Sequence, residues 1–265
     1  MENTYRHPYS CQIIESIPVY AGGLEYILNE LTGESINNTI LESRCISATG
    51  AHGIVAAYTH AQFKKTLTDF YLNLPDGMPL VWLAKLKGFS TATRCYGPDF
   101  FDGFLKRTAG KNVRHFFCGG KLGIASLLSE VMQKKYPGLQ VSGYYSPPFS
   151  PMTEQDWQYL VSQIQESDST VIWVGISTPK QEKFAIELSK RVKVKYLVTV
   201  GAAFDFYTGQ VPQAPKWMQQ ASLEWFYRLC KEPRRLAGRY SRIVPTFVYL
   251  AIINLFNHYL RKVDR

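Results

Sequence analysis

From about residue 41 onward the chain alternates two rhythms. Short, continuously apolar runs occur in "SRCISATG", "FYLNLPDG", "VRHFFCGG", "LQVSGYY", "STVIWVGIST" and "VKYLVTVGAAFDF". Runs of this length, bounded by Gly or Pro, predict buried strands. Between them, apolar residues return every three or four positions in "AHGIVAAYTHAQFKKTL", "MPLVWLAKLKG", "KLGIASLLSEVMQKKYPG", "TEQDWQYLVSQIQES" and "QEKFAIELSKRV". That spacing predicts helices, and "TEQDWQYLVSQIQES" opens with a Thr-x-x-Gln-like cap. Strands that are apolar on both faces and alternate with helices predict an α/β fold, a parallel sheet covered by helices on both sides.

The two ends of the chain read differently. Residues 1–40 are mixed and predict an irregular lead-in with a short helix near "GLEYILNELTG". Residues 41–211 carry the sheet region. Near Pro212 to Trp217 the composition shifts, and 212–265 reads as a helical, basic appendage. That appendage sets "RLCKEPRRLAGRYSR" directly before the apolar, aromatic "IVPTFVYLAIINLFNHYLRK", a pairing suited to an anionic membrane surface. The apolar run from Ile243 to Phe256 falls short of the roughly 20 residues a spanning helix needs. It also contains Pro245 and Asn254, so it is expected to lie on a membrane more easily than to cross one. An apolar tail that needs cover in solution also makes self-association an expectation.

Charge narrows the partners further. Thirty Lys and Arg against 21 Asp and Glu give a formal charge of +9, which favours anionic ligands. Because the charge gathers beside an apolar tail, membrane is favoured over nucleic acid. Cys11, Cys45, Cys95, Cys118 and Cys230 are scattered, with no paired or zinc-type spacing, as reduced thiols of a cytosolic protein would be. No charged segment followed by an apolar one opens the sequence, so no signal peptide is expected.

In a parallel α/β sheet, ligands bind where strands lead into helices. Asp76, Gly119, Gly120, Ser177 and Asp205 all fall just past a predicted strand. Asp76, in "LPDGM", fits either a helix cap or a general base aimed at an incoming hydroxyl, and spacing does not decide between them. The paired glycines of "FFCGGKLG" fit a phosphate-binding turn or a bare turn. "VGISTPKQEKF" offers Ser177, Lys180 and Gln181 as donors for a nucleotide or sugar, although Ser177 or Thr178 could equally cap the next helix. "SATGAHG" adds Thr49, Gly50 and His52, and "TRCYGPDF" adds Arg94, Tyr96 and Asp99. No Asp-x-Asp pair and no His or Cys cluster of metal-ligand spacing occurs, which leaves a divalent-metal site unsupported. A nucleophile elbow, a P-loop and kinase signatures are also missing.

Several of these segments, in this order, resemble one family. "PDGMPLVWLAKLKG", "RCYGPDFF", "YPGLQVSGYYSPPF", "VGISTPKQEKF" and "VGAAFDFYTGQVPQAPKWMQQASLEWFYRLCKEPRRLAGRY" look like the WecG/TagA/CpsF bacterial glycosyltransferases, glycosyltransferase family 26. The likeness runs from about Ser47 to Tyr240. It implies a Rossmann-like core with a C-terminal appendage that reaches the membrane and helps complete the active site. It also implies metal-independent, inverting transfer from a UDP-sugar donor onto a polyprenyl-diphosphate-linked acceptor, without a cofactor, at the cytoplasmic membrane face. By the same resemblance Asp76 is the catalytic base, Arg94 and Gln181 lie near the substrate, and Arg228, Arg235 and Arg239 hold diphosphate. Two departures concern the particular sugar. "SATGAHG" stands where many members have Thr-x-Asn-Ala, and Gln213-Ala214-Pro215 stands where Arg-Ala-Pro is usual. Family members use N-acetylmannosamine, glucuronic acid or other sugars.

Two rival readings remain. A nicotinamide-dependent oxidoreductase fits the alternation but lacks the full glycine fingerprint with its acidic partner. A non-enzymatic binder of an anionic membrane or of nucleic acid fits the charge.

Overall fold

The computed structural model describes residues 8–37, 42–221 and 223–263, apart from the side chains of Gln220, Arg235, Lys262 and Val263. A small hairpin, β1 (Cys11–Ile14) and β2 (Ile17–Tyr20), precedes α1 (Leu24–Ile36). The alternating region follows as β3 (Arg44–Thr49), α2 (Ala51–Thr59), α3 (Ala61–Thr68), β4 (Leu72–Pro75), α4 (Met78–Leu86), α5 (Gly97–Thr108), β5 (Arg114–Gly119) and α6 (Ile124–Lys135). It continues as β6 (Gln140–Tyr145), α7 (Glu154–Glu166), β7 (Val171–Gly175), α8 (Lys180–Ser189), β8 (Tyr196–Thr199) and α9 (Ala203–Tyr207). Three helices close the chain: α10 (Lys216–Gln220), α11 (Glu224–Lys231) and α12 (Pro233–Val263).

Six strands form one parallel sheet in the order β4-β3-β8-β7-β5-β6, so the expected α/β architecture is present. Alternate residues of each strand face opposite ways. Phe117, Trp173 and Val198 pack in one layer with α1, α5 and α6, while Phe116, Ile172, Val174 and Leu197 pack in the other with α7 and α8. Burial on both faces is why the strands read as continuous apolar runs. From β5 the chain moves outward to β6, and from β7 it moves the opposite way to β8. That reversal opens a crevice at the carboxyl ends of β5 and β7, where ligands of open α/β sheets bind.

The body of α5 is fixed by an aromatic and polar core. Phe101 and Phe104 meet Trp173 edge-on at ring distances of 4.9 and 5.2 Å. Trp173 Nε1 donates to His115 Nδ1 at 3.0 Å, so His115 Nε2 carries the proton toward Thr108 Oγ1, 2.9 Å away. Burial pushes this imidazole down to about 3, and it stays neutral. Trp173→Phe removes the donor and leaves Nδ1 sealed from water. A loss of about 2 kcal/mol is expected, read as a lower urea midpoint at unchanged slope.

Several expectations are corrected. The lead-in carries the helix expected near "GLEYILNELTG", 13 residues long, but the chain before it is an ordered hairpin instead of irregular. The hairpin's turn residues, Glu15 and Ser16, both have positive φ (51° and 70°), a geometry usually announced by Asn-Gly, and neither residue type signals it. "AHGIVAAYTHAQFKKTL" breaks at His60, whose extended backbone separates α2 from α3. "YGPDF" begins a full helix, α5, with Pro98 in its first turn. The last strand stops at Thr199, and Ala203–Tyr207 is a short helix beyond it. In the cap of α7, Thr153 pairs with Asp156 instead of Gln.

The tail also differs. α12 is one helix of 31 residues, continuous through Pro245. By length and composition alone, its stretch Leu236–Arg261, 26 residues with mean hydropathy 1.4, is long and apolar enough to cross a membrane. Helical backbone on both sides of the apolar run supplies the length that the run itself lacks. One face of α12 buries Ile243, Phe247 and Leu250 in a cluster with Ile14, Ile54, Leu80 and Leu83, while Val248, Ile252 and Phe256 are exposed. Farther along, Asn254 Nδ2 donates to the Ile13 carbonyl at 3.1 Å and Tyr259 OH to the Leu86 carbonyl at 2.6 Å.

Candidate active site

A cleft of about 880 Å³ lies over the carboxyl end of the sheet, a volume that suits a sugar nucleotide. The segments that follow all six strands reach it, and α11 and the start of α12 form its far wall.

Asp76 sits where β4 ends. Its N–H donates to the Thr49 carbonyl at 3.1 Å, continuing the β3–β4 ladder, and its own carbonyl accepts from Arg94 Nε at 2.7 Å. The carboxylate does not cap the helix that follows: α4 begins at Gly77 with no side-chain cap. Instead Oδ1 accepts the Gly97 N–H at 2.7 Å, at the head of α5, where the helix dipole favours an anion. The fit around Gly97 is close: a Cβ there would lie 3.0 Å from the Val200 carbonyl oxygen and 3.2 Å from Ala48 Cβ. With Oδ1 held, Oδ2 is turned toward Gly50. Burial pushes the carboxyl from 3.8 up to about 6, against the pull of Arg94, the Gly97 N–H and Arg228, while Glu224 pushes it further up. A carboxyl poised near 6 is ionised at neutral pH and still basic enough to take a proton, as a general base must be.

The cleft also carries cations. At the end of β5, Gly119 has φ 151° and a Cβ there would lie 2.4 Å from the Gly175 carbonyl oxygen, so only glycine fits. Gly120 N–H donates to that same oxygen at 2.9 Å, which binds the β5 and β7 ends together and delivers Lys121 to the cleft. Asp205 is raised by burial and pulled back by Lys121 and Arg228, which places all three within electrostatic reach. Arg228 Nε is buried with no hydrogen-bond partner among the described residues. His52, in the first turn of α2, is lowered by burial and by Arg239, which stands at the cleft edge.

Gln181 braces the floor. Its Oε1 accepts the Gly201 N–H at 3.1 Å, and its Nε2 donates to Thr178 Oγ1 at 3.2 Å and Glu182 Oε1 at 2.9 Å. Ser177 and Lys180 are exposed at the rim, and α8 has no side-chain cap, so neither Ser177 nor Thr178 serves as one.

The cleft thus gathers Gly50, His52, Asp76, Gly120, Ser177, Lys180, Gln181, Asp205, Arg228 and Arg239. Three expected residues stand behind it. Thr49 is buried and turns its hydroxyl to Ser47 at 2.9 Å, Gly119 lies within the strand end, and Arg94 backs Asp76. The side chain of Arg235 lies outside the described residues. Tyr96, singled out in the sequence, also lines the cleft, whereas sequence reasoning missed Lys121, Glu224 and the segment 147–152, whose Phe149 stands 84% exposed beside the cleft. Lys121 directly follows the paired glycines and "SPPF" directly follows a strand, so position past a strand end was the available signal for both. Among the described residues, no three His, Cys, Asp or Glu side chains gather as a metal held by protein alone would need.

The sequence matches the family model "Glycosyl transferase WecG/TagA/CpsF family" over residues 16–261. Among characterised relatives, the chain is 27% identical over 224 residues to the N-acetylglucosaminyldiphosphoundecaprenol N-acetyl-beta-D-mannosaminyltransferase of Bacillus subtilis (strain 168), covering 84% of this chain and 85% of that protein. It is 28% identical over 192 residues to the enzyme of the same name from Bacillus spizizenii (strain ATCC 23059 / NRRL B-14472 / W23), covering 72% of each. A match across nearly the whole chain, on the expected α/β fold, places this protein in the WecG/TagA/CpsF family: it is a glycosyltransferase.

Proposed function

We propose that the protein transfers a sugar, N-acetylmannosamine or a uronic acid such as glucuronic acid, from a UDP-sugar to a polyprenyl-diphosphate-linked saccharide in surface polysaccharide or exopolysaccharide synthesis. The observation that carries this reading is the Asp76 carboxylate, anchored through one oxygen and turned to the cleft by the other, with Lys121, Arg228 and Arg239 lining the same cleft. The relatives' shared name supports N-acetylmannosamine as donor sugar and N-acetylglucosaminyldiphosphoundecaprenol as acceptor.

In this mechanism the acceptor hydroxyl oxygen attacks the anomeric carbon from the face opposite UDP. Asp76 Oδ2 takes the hydroxyl proton as the new C–O bond forms. The bond between the anomeric carbon and the diphosphate oxygen breaks, its electron pair leaves with UDP, and the configuration inverts. The charge that develops on the diphosphate is balanced by the guanidinium groups and Lys121 without a metal ion, planar guanidinium groups being well matched to phosphate oxygens.

The lipid-linked acceptor requires a membrane. The exposed apolar face of α12, flanked by Arg242 and Arg261 and continued by Trp82, Leu86 and Ile13, supports peripheral attachment to the anionic inner face of the cell membrane. A donor screen tests the reading. The full-length protein is incubated with a panel of UDP-sugars and a lipid-diphosphate N-acetylglucosamine acceptor, and the products are resolved by mass and anomeric configuration. One donor giving an inverted, lipid-linked disaccharide is expected. Reduction of a nicotinamide cofactor, or retention of configuration, would overturn it.

A further inference from the structure

Glu224 takes no part in the chemistry proposed above, yet both of its carboxylate oxygens are engaged by the catalytic half of the molecule. Oε2 accepts from Arg94 Nη2 at 2.6 Å and Oε1 accepts from Tyr96 OH at 2.7 Å. The pair is well shielded, the Arg94 and Glu224 side chains being 18% and 12% exposed, and the guanidinium lies 3.9 Å over the Tyr96 ring. Arg94 in turn donates through Nε to the backbone carbonyl of Asp76. An unbroken path therefore runs from the carboxylate-bearing turn through Arg94 to α11.

Beyond this pair, α11 is held by partly buried contacts such as Trp225 against Tyr240 of α12, at a ring distance of 6.0 Å. None of its side chains is fully buried, in contrast to α5 or α8, so apolar packing supplies only part of its seat. Glu224 and Arg228 are four residues apart, one turn of helix, and so share a face. Whatever fixes Glu224 fixes where Arg228 enters the cleft.

We infer that Glu224 is a positioning residue, a latch that docks α11 on Arg94 and Tyr96 and thereby seats Arg228 against the donor diphosphate. The inference rests on the transferase reading for its catalytic consequence, but the docking itself does not. Glu224 has a second effect through charge. Asp76 is faced by Arg94 and the Gly97 N–H from the segment leading into α5, and by Glu224 and Arg228 from α11. Removing the Glu224 charge leaves Arg94 uncompensated beside Asp76, which favours the ionised carboxylate.

Two readouts on full-length Glu224→Ala separate the latch from a general structural role. The first is limited trypsin digestion at Lys216, Arg228 and Lys231, which reports local opening and needs no turnover. Cleavage in this segment is expected to accelerate about tenfold or more while the thermal midpoint and far-UV spectrum hold, and Arg94→Ala combined with Glu224→Ala adds little beyond either alone. The second is the pH profile of transfer. kcat falls roughly a hundredfold, as for loss of one charge-stabilising group, and the acid limb of kcat/KM moves to lower pH. Unchanged cleavage overturns the latch whatever turnover does, and faster cleavage at full activity overturns its catalytic consequence. Should the wild-type protein transfer no sugar at all, the digestion still decides the docking while the transferase reading fails separately.

Discussion

Asp76→Asn lowers kcat by roughly 10²- to 10⁴-fold, the range over which a positioned general base contributes, and leaves UDP binding intact. The substitution keeps the local geometry because the Asn carbonyl oxygen still accepts the Gly97 N–H that Oδ1 accepts now. What it removes is the proposed proton acceptor, Oδ2, which is turned toward Gly50. The pH dependence follows with a definite sign. Burial raises the carboxyl from 3.8 to about 6, so wild-type turnover falls as pH drops through about 6 and the base is protonated. The same shift makes the ionised carboxylate a cost to folding. Its contribution favours the folded state below the ordinary carboxylate range and is lost as pH rises through about 6. Asp76→Asn therefore melts higher than wild type at pH 8 and not at pH 4, the signature of a group kept for activity at the expense of stability. A variant that melts lower at pH 8 would show instead that the carboxylate is structural.

Arg228→Ala lowers kcat by roughly 10²- to 10³-fold, the scale of losing one preorganised group that stabilises developing charge. Its Nε is already shielded from water without an acceptor among the described residues, and its charge reaches both Asp76 and Asp205. Truncation to Ala weakens UDP binding less than it slows transfer, since the charge on the diphosphate grows as the bond to the sugar breaks. Arg228→Lys recovers part of the loss, because the ammonium restores charge without the planar fork. Steady-state kinetics beside UDP calorimetry check both. Equal losses in binding and in kcat/KM, with kcat unchanged, would reduce Arg228 to a ground-state contact.

How much of this was legible in the sequence depends on where each signal resides. The sheet announced itself because Val171–Gly175 and its neighbours are buried on both faces and must be apolar throughout. The β1–β2 hairpin did not, because Glu15 and Ser16 adopt positive φ without the glycine or asparagine that usually marks it. α5 was not among the predicted helices, although Pro98 is well suited to a first helical turn. In the site, position past a strand end located Asp76, Gly120, Ser177 and Asp205, since the rule concerns topology and topology follows from periodicity. The same rule does not distinguish a side chain that points into the cleft from one that points away. Thr49 looked like a ligand of the sugar, but strand alternation turns it to Ser47 and Asn73 in the interior. Glu224 was beyond reach for a different reason. Its partners Arg94 and Tyr96 lie about 130 residues earlier, and nothing in local spacing forecasts a contact of that range.

In the proposed reaction Asp76 deprotonates the acceptor and transfer needs no metal. Its most direct test is UDP release by the full-length protein in EDTA, with and without the lipid-diphosphate-sugar acceptor, beside Asp76→Asn. Release that requires the acceptor, persists in EDTA and falls at least a hundredfold or so in the variant is the predicted result. Release abolished by EDTA, or undiminished in Asp76→Asn, would contradict it.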